Sequence, residues 1–355
     1  MSMWRLAGAL AGFCRARRLV WVGLPLLAAC SGGGAQKPDQ PEEMAVLPAA
    51  CEPALSPLSV TPAPRLDYWV VAGDTVYGSS AYSLDDWFHV FDFSTRSELR
   101  ELGSWDVGSG GQIAVVGSWA LVAAGTSGLL SFDVSDPGQL AAPRALDLEE
   151  SIPVVIRAQG SVALVSTLAY VQVFDVSAPG APRALSRLPI ADVFRGIDWV
   201  GSRAYLVSSP LKVPLSVALH VVDLTDPAAP VTLSTTVTPL SAAFTVIAAG
   251  DRVFVQSSDE ILAYDVSDPM QPRLEATIPT PVSDALTVRG NLLFASGNDG
   301  LSIIDISQID QPREVASYAG IINEPVFVEG DRVYALDAQV GGLVTLDLSR
   351  ACPAR

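Results

Sequence analysis

Seven aspartates recur along this chain at near-constant spacing: Asp92, Asp133, Asp175, Asp223, Asp265, Asp305 and Asp347. Successive gaps are 41, 42, 48, 42, 40 and 42 residues. A ring of carboxylates could hold cations or move protons. Each Asp, however, ends a short apolar run and is followed two residues later by Ser or Thr. Four copies then continue into Pro: Pro137, Pro179, Pro227 and Pro269. Asp and Ser side chains satisfy backbone donors in such turns, so the expected role of the seven is structural. Arg144, Arg183, Arg273 and Arg313 follow the turns in step and are expected to pair with these carboxylates.

The other chemistry-bearing residues are sparse. There are two histidines, His89 and His220, each just before a Val in matching repeat positions, which is a repeat pattern and not a metal cluster. No HExxH, CxxC or G-x-S-x-G motif occurs, and Gly110-Gly111 and Gly341-Gly342 are turn glycines with no helix behind them. No catalytic, cofactor-binding or metal-binding residue is assigned. What varies is the loops. The stretch 79–87 carries Tyr82, Asp85, Asp86 and Trp87, and the stretch 208–216, with Leu211 and Lys212, causes the 48-residue gap. Recognition residues concentrate on loops held by a rigid scaffold, with aromatics as anchors. Asp259, Glu260, Asn298, Asp299 and Asp337 lie on equivalent loops. They are conceivable Ca²⁺ ligands, but lack EF-hand spacing and read as solvated acids.

The elements that position these residues follow from the period. A β-rich repeat near 42 residues reads as one propeller blade of four strands, a to d. In 243–277 the runs from Phe244, Val253, Ile261 and Arg273 alternate with Gly, Asp and Pro turns. Strand c is apolar on both faces, as in Leu301-Ser-Ile-Ile-Asp-Ile306, so neighbouring blades must cover it on both sides. Leu129-Leu-Ser-Phe-Asp-Val-Ser-Asp-Pro137 and its six sister segments resemble the LVIVD repeat, a β-propeller family of bacterial secreted and surface proteins. The resemblance covers nearly all of 51–355 and implies a fold without a common activity. The expected fold is all-β: a seven-bladed β-propeller of four-stranded blades. The last repeat lacks strand d, so residues 54–60 are expected to supply it and close the ring.

Residues 1–29 read as an export signal. Arg15, Arg17 and Arg18 precede an apolar run from Leu19 to Ala29, which is shorter than the roughly 20 residues that span a bilayer. Leu27-Ala-Ala-Cys30 looks like a lipobox, with Cys30 lipidated and anchoring the chain in the membrane. Ser31 follows the cysteine, which by resemblance to Gram-negative lipoprotein sorting points to the outer membrane, on its periplasmic side or the cell surface. The segment 30–50 is a flexible tether, and 51–355 forms the propeller. Of four cysteines, Cys51 and Cys352 flank the repeats and are expected to pair in an oxidising compartment.

Net charge is −16 over 355 residues. Four of the 22 basic residues and none of the 38 acidic ones precede Cys30, so the mature part stands at −20. That argues against nucleic acid and against binding anionic lipid through protein charge. The expected protein is a monomeric, lipid-anchored, non-enzymatic scaffold with a protein partner at the cell surface. The alternatives are a binder of a cation or glycan, or a propeller hydrolase or lyase.

Overall fold

A computed structural model describes residues 53–352 except 81–85, 147, 149–150, 189–192, 210–215 and 281–283. All of these belong to one compact unit, 48–355. Seven antiparallel four-stranded sheets form a ring, the β-propeller expected from the period. Blade 5 is typical, with strands Thr245–Ala249, Arg252–Gln256, Glu260–Asp265 and Arg273–Pro279. Blades 1 to 6 each use four consecutive strands. Blade 7 combines Phe327–Glu329, Arg332–Asp337 and Gly342–Asp347 with the first strand among the described residues, Ser59–Pro62. That strand pairs antiparallel with 342–345. It starts later than the 54–60 stretch expected from register. Ala54 and Leu55 instead lie along strand d of blade 6, with Leu55 N donating to Ser317 O at 2.7 Å.

One local device repeats in all seven blades. Strands a and b join through a two-residue hairpin whose first residue is glycine at φ between 56° and 62°: Gly73, Gly117, Gly160, Gly201, Gly250, Gly290 and Gly330. Glycine takes this left-handed conformation without a Cβ clash, the requirement of a type II′ hairpin. The carbonyl of the next residue then accepts the N–H just past the repeated Asp, as in Val266 N to Asp251 O at 2.9 Å. The turn after strand c is thereby tied to the hairpin between a and b.

Apolar burial lies between blades and not within them. There are seven clusters of buried side chains, one at each blade junction. Strand c faces both ways. In blade 1, Phe88 and Val90 pack against blade 2, where Phe88 stacks on Phe132 at 4.6 Å, whereas Phe91 packs toward blade 7. At about 25 cal/mol per Å² of apolar surface removed from water, these junctions supply the main drive for closure. The seam between blades 7 and 1 has the smallest cluster. Polar contacts supplement it: Trp69 Nε1 donates to Pro325 O at 2.9 Å, and Arg96 reaches Glu329.

Strand d carries a bulge opposite strand c in blades 1, 3, 4, 5 and 6. The residue just past the bulge is small: Gly103, Ser186, Ser234, Ala276 and Ala316. The next blade's turn crowds this position. Ser186 Oγ donates to Pro227 O and Ser234 Oγ to Pro269 O, both at 2.7 Å, and a Cβ on Gly103 would overlap Pro137 O.

Candidate functional site

The seven repeated aspartates are spent on the turns. Each carboxylate accepts the backbone N–H two residues on, at 2.8–3.0 Å. Side-chain hydrogen bonds from the neighbouring Ser or Thr, joined by those N–H groups, hold Asp92, Asp133, Asp175, Asp223 and Asp265 below the usual carboxylate range and Asp347 at about 2. Arg183 meets Asp175 at 3.3 Å, as its spacing suggested. Arg144 does not meet Asp133. Its Nη1 donates to Gly180 O in blade 3 at 2.6 Å, because a 3-10 turn at Pro137–Gln139 re-aims the short strand Arg144–Leu146. Two arginines that the spacing did not single out do pair, Arg100 with Asp92 and Arg332 with Asp347, each at 2.6 Å.

Of the loop candidates, Tyr82, Asp85, Leu211 and Lys212 lie outside the described residues, as do Cys30 and Cys51. Trp87 opens strand c of blade 1 (Trp87–Asp92) and is 36% exposed, its backbone locked to Ser80. Asp86 O accepts from Val107 N at 3.0 Å. Among the acids considered for a cation, Asp337 is buried and accepts from Tyr318 Oη, Ile321 N and Gln339 N. Among the described residues, no three of His, Cys, Asp and Glu gather as metal ligands would.

The histidines are internal fittings. His220 is buried, with Nε2 2.7 Å from Ser208 Oγ, Nδ1 3.1 Å from Thr235 Oγ1 and the Phe194 ring beside it. Ser208 is likewise buried. His89 Nδ1 lies 2.9 Å from Glu101.

The unspent chemistry lies on the axis. A cavity of about 450 Å³ runs between inner strands and the segments that enter them, lined by Tyr68, Trp69, Gln112, Arg157, Phe244, Asp284 and Glu324 among others. A smaller recess of about 180 Å³ adjoins it, sharing Asn323 and Glu324 and adding Asp67. Arg157 sits on the inner strand of blade 3 (Pro153–Gln159), and its Nη1 donates to Gln112 Oε1 and Ile156 O at 2.9 Å. Burial pulls its pKa down. Asp198, on the inner strand of blade 4 (Val193–Val200), accepts Ala248 N at 2.8 Å and faces the Arg157 charge. Gly196 makes that contact possible, since a Cβ there would stand 2.7 Å from Val246 N and force the strands apart. Burial raises the Asp198, Asp284 and Glu324 carboxyls, Glu324 well above its ordinary 4.5.

Sequence reasoning passed over these residues. The available signal was an Arg and an Asp inside otherwise apolar inner strands, in PVVIRAQ and FRGIDWV. An inner strand lines the axis, so a charge there is costly unless it is used.

With this geometry in view, the model of the LVIVD repeat matches residues 107–142 and 283–320. The chain carries LVIVD repeats on a seven-bladed β-propeller. Those two matches cover the first three strands of blade 2 and all four strands of blade 6, and the same Asp turn recurs in every blade. No curated protein matches the chain. Solved structures share the fold at low identity. A chain of the mitotic checkpoint complex aligns at TM-score 0.66 and 13% identity, covering 89% of this chain and 99% of that one. A putative 6-phosphogluconolactonase from Bacteroides uniformis gives 0.62 and 15%, covering 72% and 86%. The computationally designed Ika8 protein gives 0.59 and 13%, covering 84% and 99%. At these identities the likeness concerns architecture alone.

Proposed function

We propose that this LVIVD-repeat propeller is an exported, lipid-anchored and non-enzymatic binding protein that takes a small polar ligand in its axial cavity. One observation carries the reading: the cavity holds Arg157 and Glu324 with hydrogen-bonding capacity left over. Arg157 uses one nitrogen of three, and no hydrogen bond among the described residues reaches the Glu324 carboxylate. A buried polar group left unsatisfied costs free energy unless something completes it. A cavity of this size with apolar walls and a few convergent polar groups fits a small molecule. The test is retention of metabolites. The exported chain is dialysed against a soluble metabolite extract and the bound fraction identified by mass spectrometry. Ala158→Trp, which fills the cavity wall, should abolish retention. A wild type that retains nothing overturns the reading.

Export and anchoring rest on the charged region, apolar run and Leu27-Ala-Ala-Cys30. Radiolabelled palmitate should enter the wild type and not Cys30→Ser. A Cys51–Cys352 disulfide is part of this proposal. Cys352 N donates to Val315 O at 3.2 Å and Ser317 N to Pro53 O at 2.7 Å, which brings 53 and 352 to one edge of blade 6. Such a bond would clasp the segments on either side of the repeat array, and a non-reducing peptide map should show the linked pair.

A second reading, a protein-interaction scaffold, is favoured by the exposed Trp87 at the base of the 79–87 loop. A crosslinked partner lost in Trp87→Ala would establish it.

A further inference from the structure

Charge around the axial cavity is unevenly matched. On one wall Arg157 is balanced by Asp198, whose Oδ2 is held by Ala248 N. On the opposite side stand Glu324, Asp284 and, at the rim, Asp67. Asp67 meets the exposed Arg65 at 3.2 Å, and Asp284 accepts from Asn298 Nδ2 at 3.3 Å. Glu324 accepts from no donor among the described residues, though it lines both the cavity and the recess. Its backbone is fixed, because Ser296 Oγ donates to Glu324 O at 2.8 Å and Trp69 Nε1 holds the next carbonyl. Two blades thus hold the Glu324 backbone where its residue lines both the cavity and the recess.

Resting on the reading of this cavity as the ligand site, we propose that it binds a small organic ammonium ion. Glu324 accepts the ammonium N–H groups, and Tyr68, Trp69 and Phe244 wall the carbon frame. An ammonium carries three donors and needs acceptors from one side, which a single carboxylate with nearby carbonyls supplies. Aromatic faces add cation–π attraction. A divalent metal ion needs several oxygen ligands at once, and the described residues bring no such set together. An anion would have Arg157 alone against three carboxylates.

The binding is coupled to a proton. In the empty cavity burial keeps Glu324 protonated well past the ordinary carboxyl range, reinforced by Asp67 and Asp284 and opposed by Arg157. Asp198 beside Arg157, and Asp337 and Arg65 at the recess, complete the charged groups around it. The cation binds the ionised form, so one proton leaves as it enters. Affinity therefore rises with pH until Glu324 is ionised in the free protein.

Isothermal titration of the full exported chain decides this. Cyclohexylammonium and 1,5-diaminopentane are the cationic probes. Cyclohexanol and N-acetylglucosamine are the neutral ones, and calcium chloride tests the metal. Titrations are run at pH 6 and pH 8 in two buffers of different ionisation enthalpy. An ammonium probe should bind with proton release and measurably tighter at pH 8 than at pH 6, the direction set by proton linkage. Glu324→Gln should weaken it by roughly 10- to 100-fold, as loss of a charged hydrogen bond does. Phe244→Ala, on the exposed wall, repeats the test if that variant fails to fold. Equal binding of cyclohexanol, binding of calcium alone, or an unchanged Kd in both variants overturns the ammonium inference. Binding of a neutral probe would leave the cavity a ligand site. Failure of all probes, together with a wild type that retains no metabolite, would sink both.

Discussion

Arg96 of blade 1 grips Glu329 of blade 7 through two parallel hydrogen bonds, Nε to Oε2 at 2.9 Å and Nη2 to Oε1 at 3.0 Å. Nη1 donates to Phe93 O, and the guanidinium lies over the Phe93 and Phe327 rings. Arg96 is the one non-glycine residue with positive φ among those described, at 56°. The backbone accepts strain there so that the side chain can bridge the seam with the smallest apolar cluster. Arg96→Ala should lower the thermal midpoint by a few degrees. Arg96→Gly, which frees the backbone, should fall between wild type and Ala. Differential scanning calorimetry showing Ala equal to wild type would remove the clasp from the account.

Acid should loosen the turns. The Asp347 carboxyl, held at about 2 by Ser349 and Arg332, lies below its ordinary 3.8. Its contribution is therefore complete above 3.8 and lost as pH falls toward 2. Asp347→Asn should lower stability at pH 7 and converge with wild type as pH falls toward 2, flattening the acid limb of a pH–stability curve measured by urea unfolding. A variant as acid-sensitive as wild type would argue against the linkage.

Glu324 carries the opposite sign. Its carboxyl is raised by burial, so the neutral form is favoured in the fold, and stability declines as pH climbs past 4.5. Glu324→Gln should match wild type near pH 4 and melt higher at pH 8, by about 2 °C or more. Equal midpoints at both pH values would mean that the carboxylate is solvated.

Crowding past the strand-d bulge gives a packing test. Gly103→Val drives side-chain atoms into Pro137 O and should cost roughly 2 kcal/mol. Ser186→Ala keeps the space and loses only the bond to Pro227 O, about 1 kcal/mol. Chemical denaturation that ranks the two the other way would move the crowding elsewhere.

Much of this architecture was legible because it repeats. The apolar run before each Asp, and Gly250-Asp251 between strands, are local signals seen seven times over. Repetition turns weak single matches into a fixed blade count. The bulge was not legible, although Arg183-Ala-Leu-Ser186 and Arg313-Glu-Val-Ala316 carry its trace, a small residue three after Arg. The need for a small side chain there arises from the next blade's Pro turn, a contact with no local signature. Ser59–Pro62 was misplaced for a similar reason, since Leu55 is captured by blade 6 before the chain reaches blade 7. The axial residues were hidden because Arg157, Asp198, Asp284 and Glu324 come from four blades and no two are neighbours in sequence. Sequence attention went instead to Trp87 and to long loops, where composition was unusual.

Blade 7 takes its outer strand, Ser59–Pro62, from the start of the chain and its other three from the end. Wear by exopeptidases therefore converges: trimming past residue 62 or back past 342 injures the same blade from opposite directions. What such trimming leaves is an open crescent of six complete blades, each still built from one continuous stretch. The ring fails at one place whichever terminus is attacked, so the rate at which that blade frays sets the lifetime of the whole ring.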